Sequence, residues 1–314
     1  MVERSVIAAP RIGPGLATLG VVAASVAFGL VPYFARSLVE GGMAAHAVAF
    51  YRYVLAAVVF LPVLWAVRRD WGALVWGVAA GAVMGLGWIG YVRALELAPV
   101  ATVGVIYMTY PIFTLLLAWA IFGDRPAARS WLAAPLILLA ALLAGSGALA
   151  GIGAGQGSSL VLLLALAAPV GFGFAISVLV HRLTRLPPVA RIGAVSLGSL
   201  VGLVPLMLGT EPAALVPADR AGWMLVLGIG LGSALVPQLI YTVCSPLIGT
   251  ARTAMAGAVE LPTMFLVGWV AFGEAPGPLQ ALACLLVVGA ILLTPSKPAR
   301  LADAEAEAEI ARGP

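Results

Sequence analysis

Residues 108–126 read MTYPIFTLLLAWAIFGDRP, and residues 258–276 read AVELPTMFLVGWVAFGEAP. At an offset of 150 positions, Trp119, Phe122, Gly123, Asp124 and Pro126 fall on Trp269, Phe272, Gly273, Glu274 and Pro276. Both stretches are almost wholly apolar, but the second places a carboxylate, Glu260, where the first has Tyr110. The repetition reaches further: AASVAFG (23–29) and AAPVGFG (167–173) agree at five of seven positions, and Tyr91 and Tyr241 are again 150 apart. Between 91–126 and 241–276 eight of 36 positions are identical, so the similarity is weak along its length and sharp at the Trp-to-Pro ending. Chance matching of small and apolar residues accounts for the heptapeptide tolerably and for that ending poorly. An internal duplication is the better account.

The chain is 62% hydrophobic and only 10% charged, with a mean hydropathy of +1.10. Soluble domains do not carry that much apolar surface, and the chain reads as a polytopic membrane protein. Its net charge of +4 is therefore no nucleic-acid footprint, and nucleic acid is not an expected partner. Ten apolar segments, at approximately 15–35, 44–67, 72–95, 99–122, 130–150, 158–180, 189–208, 221–244, 251–273 and 276–294, each approach the roughly 20 residues a spanning helix needs. The short alternating strands of a membrane barrel are not in evidence. The first segment exceeds a signal-peptide core and lacks an A-x-A site after it, so it is expected to remain as a span. Cys244 and Cys284 lie inside apolar spans, and His46 and His181 in different segments. Neither a disulfide framework nor a metal site is expected, and no motif calls for a cofactor.

Orientation follows from the basic residues. With a cytoplasmic N-terminus, 13 of the 17 Lys and Arg face inward, Arg36, Arg93 and Arg220 face outward, and Arg52 remains inside a span. The reading is a multi-pass protein of the cytoplasmic (inner) membrane with both termini inside. The Gly-rich run ALAGIGAGQGSS (148–159) is the natural seam, with five spans on each side. An odd number per half makes corresponding helices cross in opposite directions. The expected fold is thus all-α and integral to the membrane: ten transmembrane helices as two inverted five-helix repeats, an arrangement common among secondary transporters. The parts are a cytoplasmic segment 1–14, a first repeat 15–150, an outer linker 151–157, a second repeat 158–294 and a polar tail 295–314.

Glu260 is the residue to explain. Some ten residues into its expected helix it stands about 15 Å deep, too far for its short side chain to reach either interface. A charge left in hydrocarbon costs at least about 2.5–3.5 kcal/mol, so it must face the bundle interior. Two readings are open: a substrate-ammonium or proton site, or a structural buried acid or ion pair. Arg52 is the natural partner, either binding a substrate carboxylate or anchoring the fold and pairing with Glu260. An arginine for a carboxylate and a glutamate for an ammonium would together suit a zwitterion. Trp88, Tyr91, Tyr107, Tyr110, Gln238 and Tyr241 supply aromatic and hydrogen-bonding groups for a central cavity, with packing as the competing account. Tyr110 is the stronger for aligning with Glu260. Pro111 and Pro262 are candidate hinges. Arg93 and Glu96 read as a surface (i, i+3) pair. Gly77, Gly81 and Gly85 read as a helix-packing stripe, and Gly228-x-Gly230-x-Gly232 as part of a span, with none of the context of a phosphate loop.

The block YVRALELAPVATVGVIYMTYPIFTLLLAWAIFGDRPAARSWLAAPLILLAALLAG (91–145), with AFYRYVLAAVVFLP (49–62) and VELPTMFLVGWVAFGE (259–274), resembles the EamA-type ten-helix group of the drug/metabolite transporter superfamily. Leu261 separates Glu260 from Pro262 where that group often reads Glu-Pro. The resemblance implies a secondary active transporter that moves a small organic solute (amino acid, metabolite or drug-like compound) across the membrane by alternating access, more often outward. The expected partners are that solute, the lipid bilayer and a proton as candidate coupling ion. Rocking of one repeat against the other is the expected motion. An intramembrane enzyme acting on a lipid-linked substrate is the alternative. The sequence offers it no clustered acids and no nucleophile–base pair, and an enzyme is not expected.

Overall fold

The computed structural model describes residues 13–125, 135–136, 138–140, 142–143, 156–257 and 259–293. The terminal segments 1–12 and 294–314, most of the expected fifth span and most of the linker lie outside the described residues. Gln156 and Gly157 of that linker already belong to a helix. Every element described is helical: α1 Pro14–Gly29, α2 Val31–Glu40, α3 Ala45–Ala66, α4 Trp71–Leu97, α5 Val100–Tyr107, α6 Tyr110–Phe122, α7 Gln156–His181, α8 Pro188–Met207, α9 Pro212–Leu215, α10 Arg220–Leu227, a π-helical stretch Gly228–Leu235, α11 Val236–Gly257, α12 Glu260–Phe272 and α13 Pro278–Leu293.

Among the described residues seven stretches are long and apolar enough to cross a membrane: Pro14–Glu40, Ala45–Ala66, Trp71–Leu97, Val100–Phe122, Leu160–His181, Pro188–Met207 and Arg220–Ser245. Two shorter apolar helices, Glu260–Phe272 and Pro278–Gly289, accompany them. Each of these overlaps one of the segments expected from the sequence. Large side chains such as Trp65, Trp71 and Val270 point outward, each 70–74% exposed, as lipid-facing residues do.

At the centre α4 packs against α7 and α8. The glycine stripe makes this approach possible. A Cβ on Gly81 would lie 1.9 Å from the Val195 carbonyl oxygen, and one on Gly198 would lie 2.0 Å from that of Val78. Ser199 Oγ donates to the Gly81 carbonyl at 2.9 Å. Between helices in lipid, such small-residue contact and interhelical bonding replace the hydrophobic drive available in water. The Gly228–Gly232 stretch is likewise a packing surface within a span, with a Gly230 Cβ position 2.9 Å from the Tyr51 carbonyl of α3.

The two stretches that open the sequence reading have the same backbone. The α5/α6 span is interrupted after Tyr107 and resumes at Tyr110. The α11 helix ends at Gly257 and α12 begins at Glu260, each 150 positions later. After each interruption, α6 and α12 run for 13 residues. Both stop at a left-handed glycine, Gly123 and Gly273, each at φ 69°. That conformation favours glycine because a Cβ would crowd the following carbonyl. The Gly123 N–H donates to the Trp119 carbonyl at 3.0 Å and the Asp124 N–H to that of Ala118 at 3.3 Å; Gly273 and Glu274 repeat this with Trp269 at 3.1 Å and Gly268 at 3.0 Å.

One expectation is corrected. The sequence reading closes the eighth span near 244 and runs an unbroken ninth from 251, with Glu260 deep inside it. The structure carries α11 from Val236 to Gly257 and starts a new helix at Glu260 itself. Proline accounts for the position of the break. Pro111 and Pro262 lie in the first turns of α6 and α12, where a missing N–H leaves no intrahelical bond unmade.

Candidate functional site

Three elements bring Glu260 to its position. Gly29, at the end of α1, presses on the first turn of α12, so that a Cβ there would lie 2.6 Å from Thr263 Cβ and 2.8 Å from the Glu260 carbonyl oxygen. On another side a Cβ on Gly104 of α5 would lie 2.9 Å from Met264 Sδ. Thr263 Oγ1 donates back to the Val259 carbonyl at 2.8 Å and ties the restart of the helix to the break. The Glu260 carboxylate is thereby placed in the electrostatic field of Arg52 and of the phenols of Tyr91, Tyr107, Tyr110 and Tyr241.

The aromatic groups form one continuous cluster. Trp88 meets Tyr91 edge-on with ring centroids 4.7 Å apart, and Tyr107 at 6.0 Å. Tyr91 reaches Tyr107 at 5.6 Å, and Tyr107 reaches Tyr110 at 5.7 Å. Trp88, Tyr91 and Tyr107 are buried and Tyr110 half-buried. The glycines of α4 allow the bulky residues of that helix to sit this deep, because neighbouring helices close over its small face. Arg52 of α3 joins at one edge, its Cζ 4.1 Å from the centre of the Trp88 ring, a cation–π contact that is strong where water is scarce. Its Nε and Nη1 are buried without a hydrogen-bond partner, as is the Tyr91 hydroxyl. Among the described residues no ion pair within 4.0 Å joins Arg52 to Glu260. Arg52 and Glu260 thus lie within electrostatic range of each other without a direct ion pair. Unsatisfied guanidinium donors in such a setting are costly and favour any acceptor that enters.

Of the sequence-predicted residues, the structure brings together Glu260, Arg52, Trp88, Tyr91, Tyr107 and Tyr110. Tyr241 stands at the rim: its hydroxyl is 3.8 Å from a Gly257 Cβ position beside the break. Gln238, one turn earlier, is exposed and not part of the cluster. Three further residues belong here. Phe172 of α7 packs edge-on against Tyr110 at 4.9 Å and tilted on Tyr107 at 5.9 Å. Phe28 of α1 faces Tyr241 at 6.1 Å. Tyr53 lies under Arg52, with Cζ 5.9 Å from its ring centre. A signal for the first two was present, since Phe28 and Phe172 occupy the same place in AASVAFG and AAPVGFG.

The far ends of α6 and α12 carry the repeated carboxylates. Glu274 Oε2 accepts the Val100 N–H at 2.8 Å, satisfying an orphan donor at the start of α5. Its other oxygen pairs with Arg36 of α2, which also bonds Glu40 at 2.9 Å and lies 4.3 Å over Phe272. Asp124 instead meets His181 at the end of α7, with Nε2–Oδ2 at 3.3 Å, and His181 stacks flat on Phe122 with centroids 4.7 Å apart. Because Glu274 holds the start of the Val100–Phe122 span and Asp124 follows its end, the two carboxylates mark opposite ends of the bundle. The Arg93–Glu96 pair forms as expected, at 3.2 Å.

Comparison with known proteins agrees with this architecture. No curated protein matches the chain. One solved crystal structure is similar to it with a TM-score of 0.61 and 21% sequence identity, over 91% of this chain and 99% of the other, a likeness of fold. Residues 15–146 match the EamA-like transporter family. That stretch contains Arg52, Trp88, Tyr91, Tyr107, Tyr110 and the first of the two broken spans, and it is the part of the chain that is similar to the EamA-like transporter family, a group of the drug/metabolite transporter superfamily.

Proposed function

We propose that the protein is a secondary active transporter that moves a small organic solute outward across the cytoplasmic membrane by alternating access. The observation that carries this reading is the cluster beside the break between α11 and α12. There Glu260 lies in the field of an arginine with unsatisfied donors, beside a continuous group of aromatic rings. Broken helices that expose polar backbone at mid-span are the usual construction of transporter sites. Arg52 is suited to a carboxylate, Glu260 to an ammonium group or a proton, and the rings to an apolar body. An amino acid or similar amphiphilic metabolite combines all three.

Two five-helix repeats of inverted sense are part of the same reading. In support, the second broken helix repeats the first at 150 positions, with the same length and the same left-handed glycine. It also ends at the bundle end where the first begins, through the Glu274 bond to Val100. The α1 glycine against α12 has a counterpart in Gly173 of α7, whose Cβ position lies 2.7 Å from the Thr114 nitrogen of α6. In this scheme the end bearing Asp124 is cytoplasmic and that bearing Glu274 is outside. α6 and α12 swing about the joints that precede Pro111 and Pro262, opening the cluster to each side in turn. The transporter family leaves the intramembrane enzyme with no observation in its favour.

The test is flux in proteoliposomes across a panel of amino acids, their analogues and cationic toxins, each with an imposed proton gradient. A saturable flux that is lost in Glu260→Gln, with insertion and monodispersity retained, is the expected result. Unchanged flux in that variant over pH 5.5–8 removes Glu260 from the mechanism.

A further inference from the structure

The two ends of the bundle are fastened by different chemistry. Near the end of α2, Arg36 cannot discharge at any physiological pH. Near the end of α7, the fastener is an imidazole. Its two nitrogens both face oxygen: Nδ1 lies 2.8 Å from the Ser177 carbonyl, and Nε2 lies 3.3 Å from Asp124 Oδ2. A carbonyl and a carboxylate can only accept. A neutral imidazole has a single N–H and would leave a lone pair pointing at one of them. The imidazolium, with a proton on each nitrogen, can donate to both, and the Nε2–Asp124 contact is an ion pair only in that form. Its ring lies parallel to Phe122, at 2° between planes, where a cation is also welcome.

The surroundings do not supply a substitute cation for Asp124. Arg182, the next residue, directs its guanidinium to Trp76 of α4 at 5.1 Å and to Phe122 at 5.5 Å. Arg191 is bonded to the Leu186 and Thr184 carbonyls, and Arg68 to the Trp65 carbonyl. Arg125 follows Asp124 in the chain and is exposed. Arg69 and Asp70 before α4, and Arg185 after α7, complete the charges at this end among the described residues, and no ion pair joins them to His181. Arg129 lies outside the described residues.

We propose that His181 and Asp124 form a proton-operated latch on the end of α6, closed while the imidazole is doubly protonated and released when Nε2 gives up its proton to water. Loss of that proton turns an ion pair into a lone pair facing a carboxylate. α6 is jointed at its other end, where Met108 and Thr109 interrupt the helix, so releasing its tip loosens the free end of a 13-residue lever that remains held to α7 nearer the joint by the Ser177 hydroxyl bond to the Thr114 carbonyl. The Arg36–Glu274 fastener on α12 stays shut over the same pH range. The device serves the alternating-access reading and borrows its purpose from it, but the latch exists without solute and is measurable without transport.

The experiment uses the full chain in nanodiscs, without solute or gradient. Cys244 and Cys284 are replaced by serine, and spin labels are placed in pairs at the outward-facing positions Ile121 with Val180 and, at the other end, Val270 with Tyr33. Between about pH 5 and 8, where an ordinary imidazole changes charge, the 121–180 distance is expected to lengthen by several ångströms and the 270–33 distance to stay constant. His181→Lys, a permanent cation, is expected to hold the short distance at both pH values, and His181→Gln the long one. As a second readout, imidazole nitrogen spectra resolve the chain's two histidines, assigned with His46→Gln. The His181 nitrogens are expected to show the doubly protonated shifts wherever the 121–180 distance is short and to lose them wherever it is long. A 121–180 distance indifferent to pH, equal responses at both ends, or a pH response retained in His181→Gln overturns the latch. None of these results bears on solute flux. Conversely, a Glu260→Gln protein that transports normally leaves the latch standing.

Discussion

The corner where α12 meets α1 and α2 and the corner where α6 meets α7 share a backbone plan and differ in their side chains. Each has a helix restarting after a two-residue break, a glycine from the neighbouring helix pressed on its first turn, a left-handed glycine at its end, and then a carboxylate beside a base that lies over a phenylalanine. Where the backbone must do something unusual, the residues are the same: Gly29 and Gly173, Gly123 and Gly273, a proline near each restart. Where only a side chain is needed, they part: Glu260 against Tyr110, Glu274 against Asp124, Arg36 against His181. The two corners keep the residues that the backbone demands and differ in charge, so that only one of the two restarts carries an acid.

The comparison can be broken first at the restarts. Glu260→Gln is expected to abolish solute flux, at least tenfold down, while Tyr110→Phe, which keeps the ring, is expected to alter it less than about threefold. Each is read in proteoliposomes beside a check on insertion. Equal effects would mean that the corners are chemically equivalent after all. At the helix ends, Glu274→Ala strips a partner from Arg36 and the acceptor from the Val100 N–H, and about 2–3 kcal/mol of stability is expected to go. Asp124→Ala, whose side chain is 45% exposed, is expected to lose under about 1 kcal/mol. Unfolding in micelles compares the two.

The remaining predictions concern likeness. Gly29→Ala and Gly173→Ala put a methyl 2.6–2.7 Å from a neighbouring helix and are each expected to cost about 1–3 kcal/mol by overpacking. A large inequality between them would refute the shared plan. Gly123→Ala and Gly273→Ala meet nothing within 4 Å, so only the left-handed φ is penalised. Both are expected to lose about 1 kcal/mol, and to the same extent, in the same unfolding measurement.

Much of this plan was legible in the chain. The Trp-x-x-Phe-Gly ending foretells two equivalent helix ends because glycine is the residue a left-handed cap selects. The stripe at 77, 81 and 85 foretells close packing because only small residues permit it. The position of the break before Glu260 was not legible. The punctuation in Val236–Gly257, at Pro246, Gly249 and Arg252, lies well before the break, and the hydrophobic pattern alone does not say whether a proline kinks a helix or opens one. Phe172 and Phe28 escaped for another reason: a phenylalanine in a membrane span is unremarkable until its partner across the bundle is known. Gln238 was chosen for its chemistry, and the helix turned it away.

The bare meeting of main chains where α4 crosses α8 has a consequence for motion. Those helices come from opposite halves of the chain, and the glycines bring their main chains together with the Ser199 hydroxyl bonded across the seam to the Gly81 carbonyl. A side chain at Gly81 or Gly198 would force the two halves apart. Conformers are to be sought first at the jointed pieces on the flanks, α6 and α12.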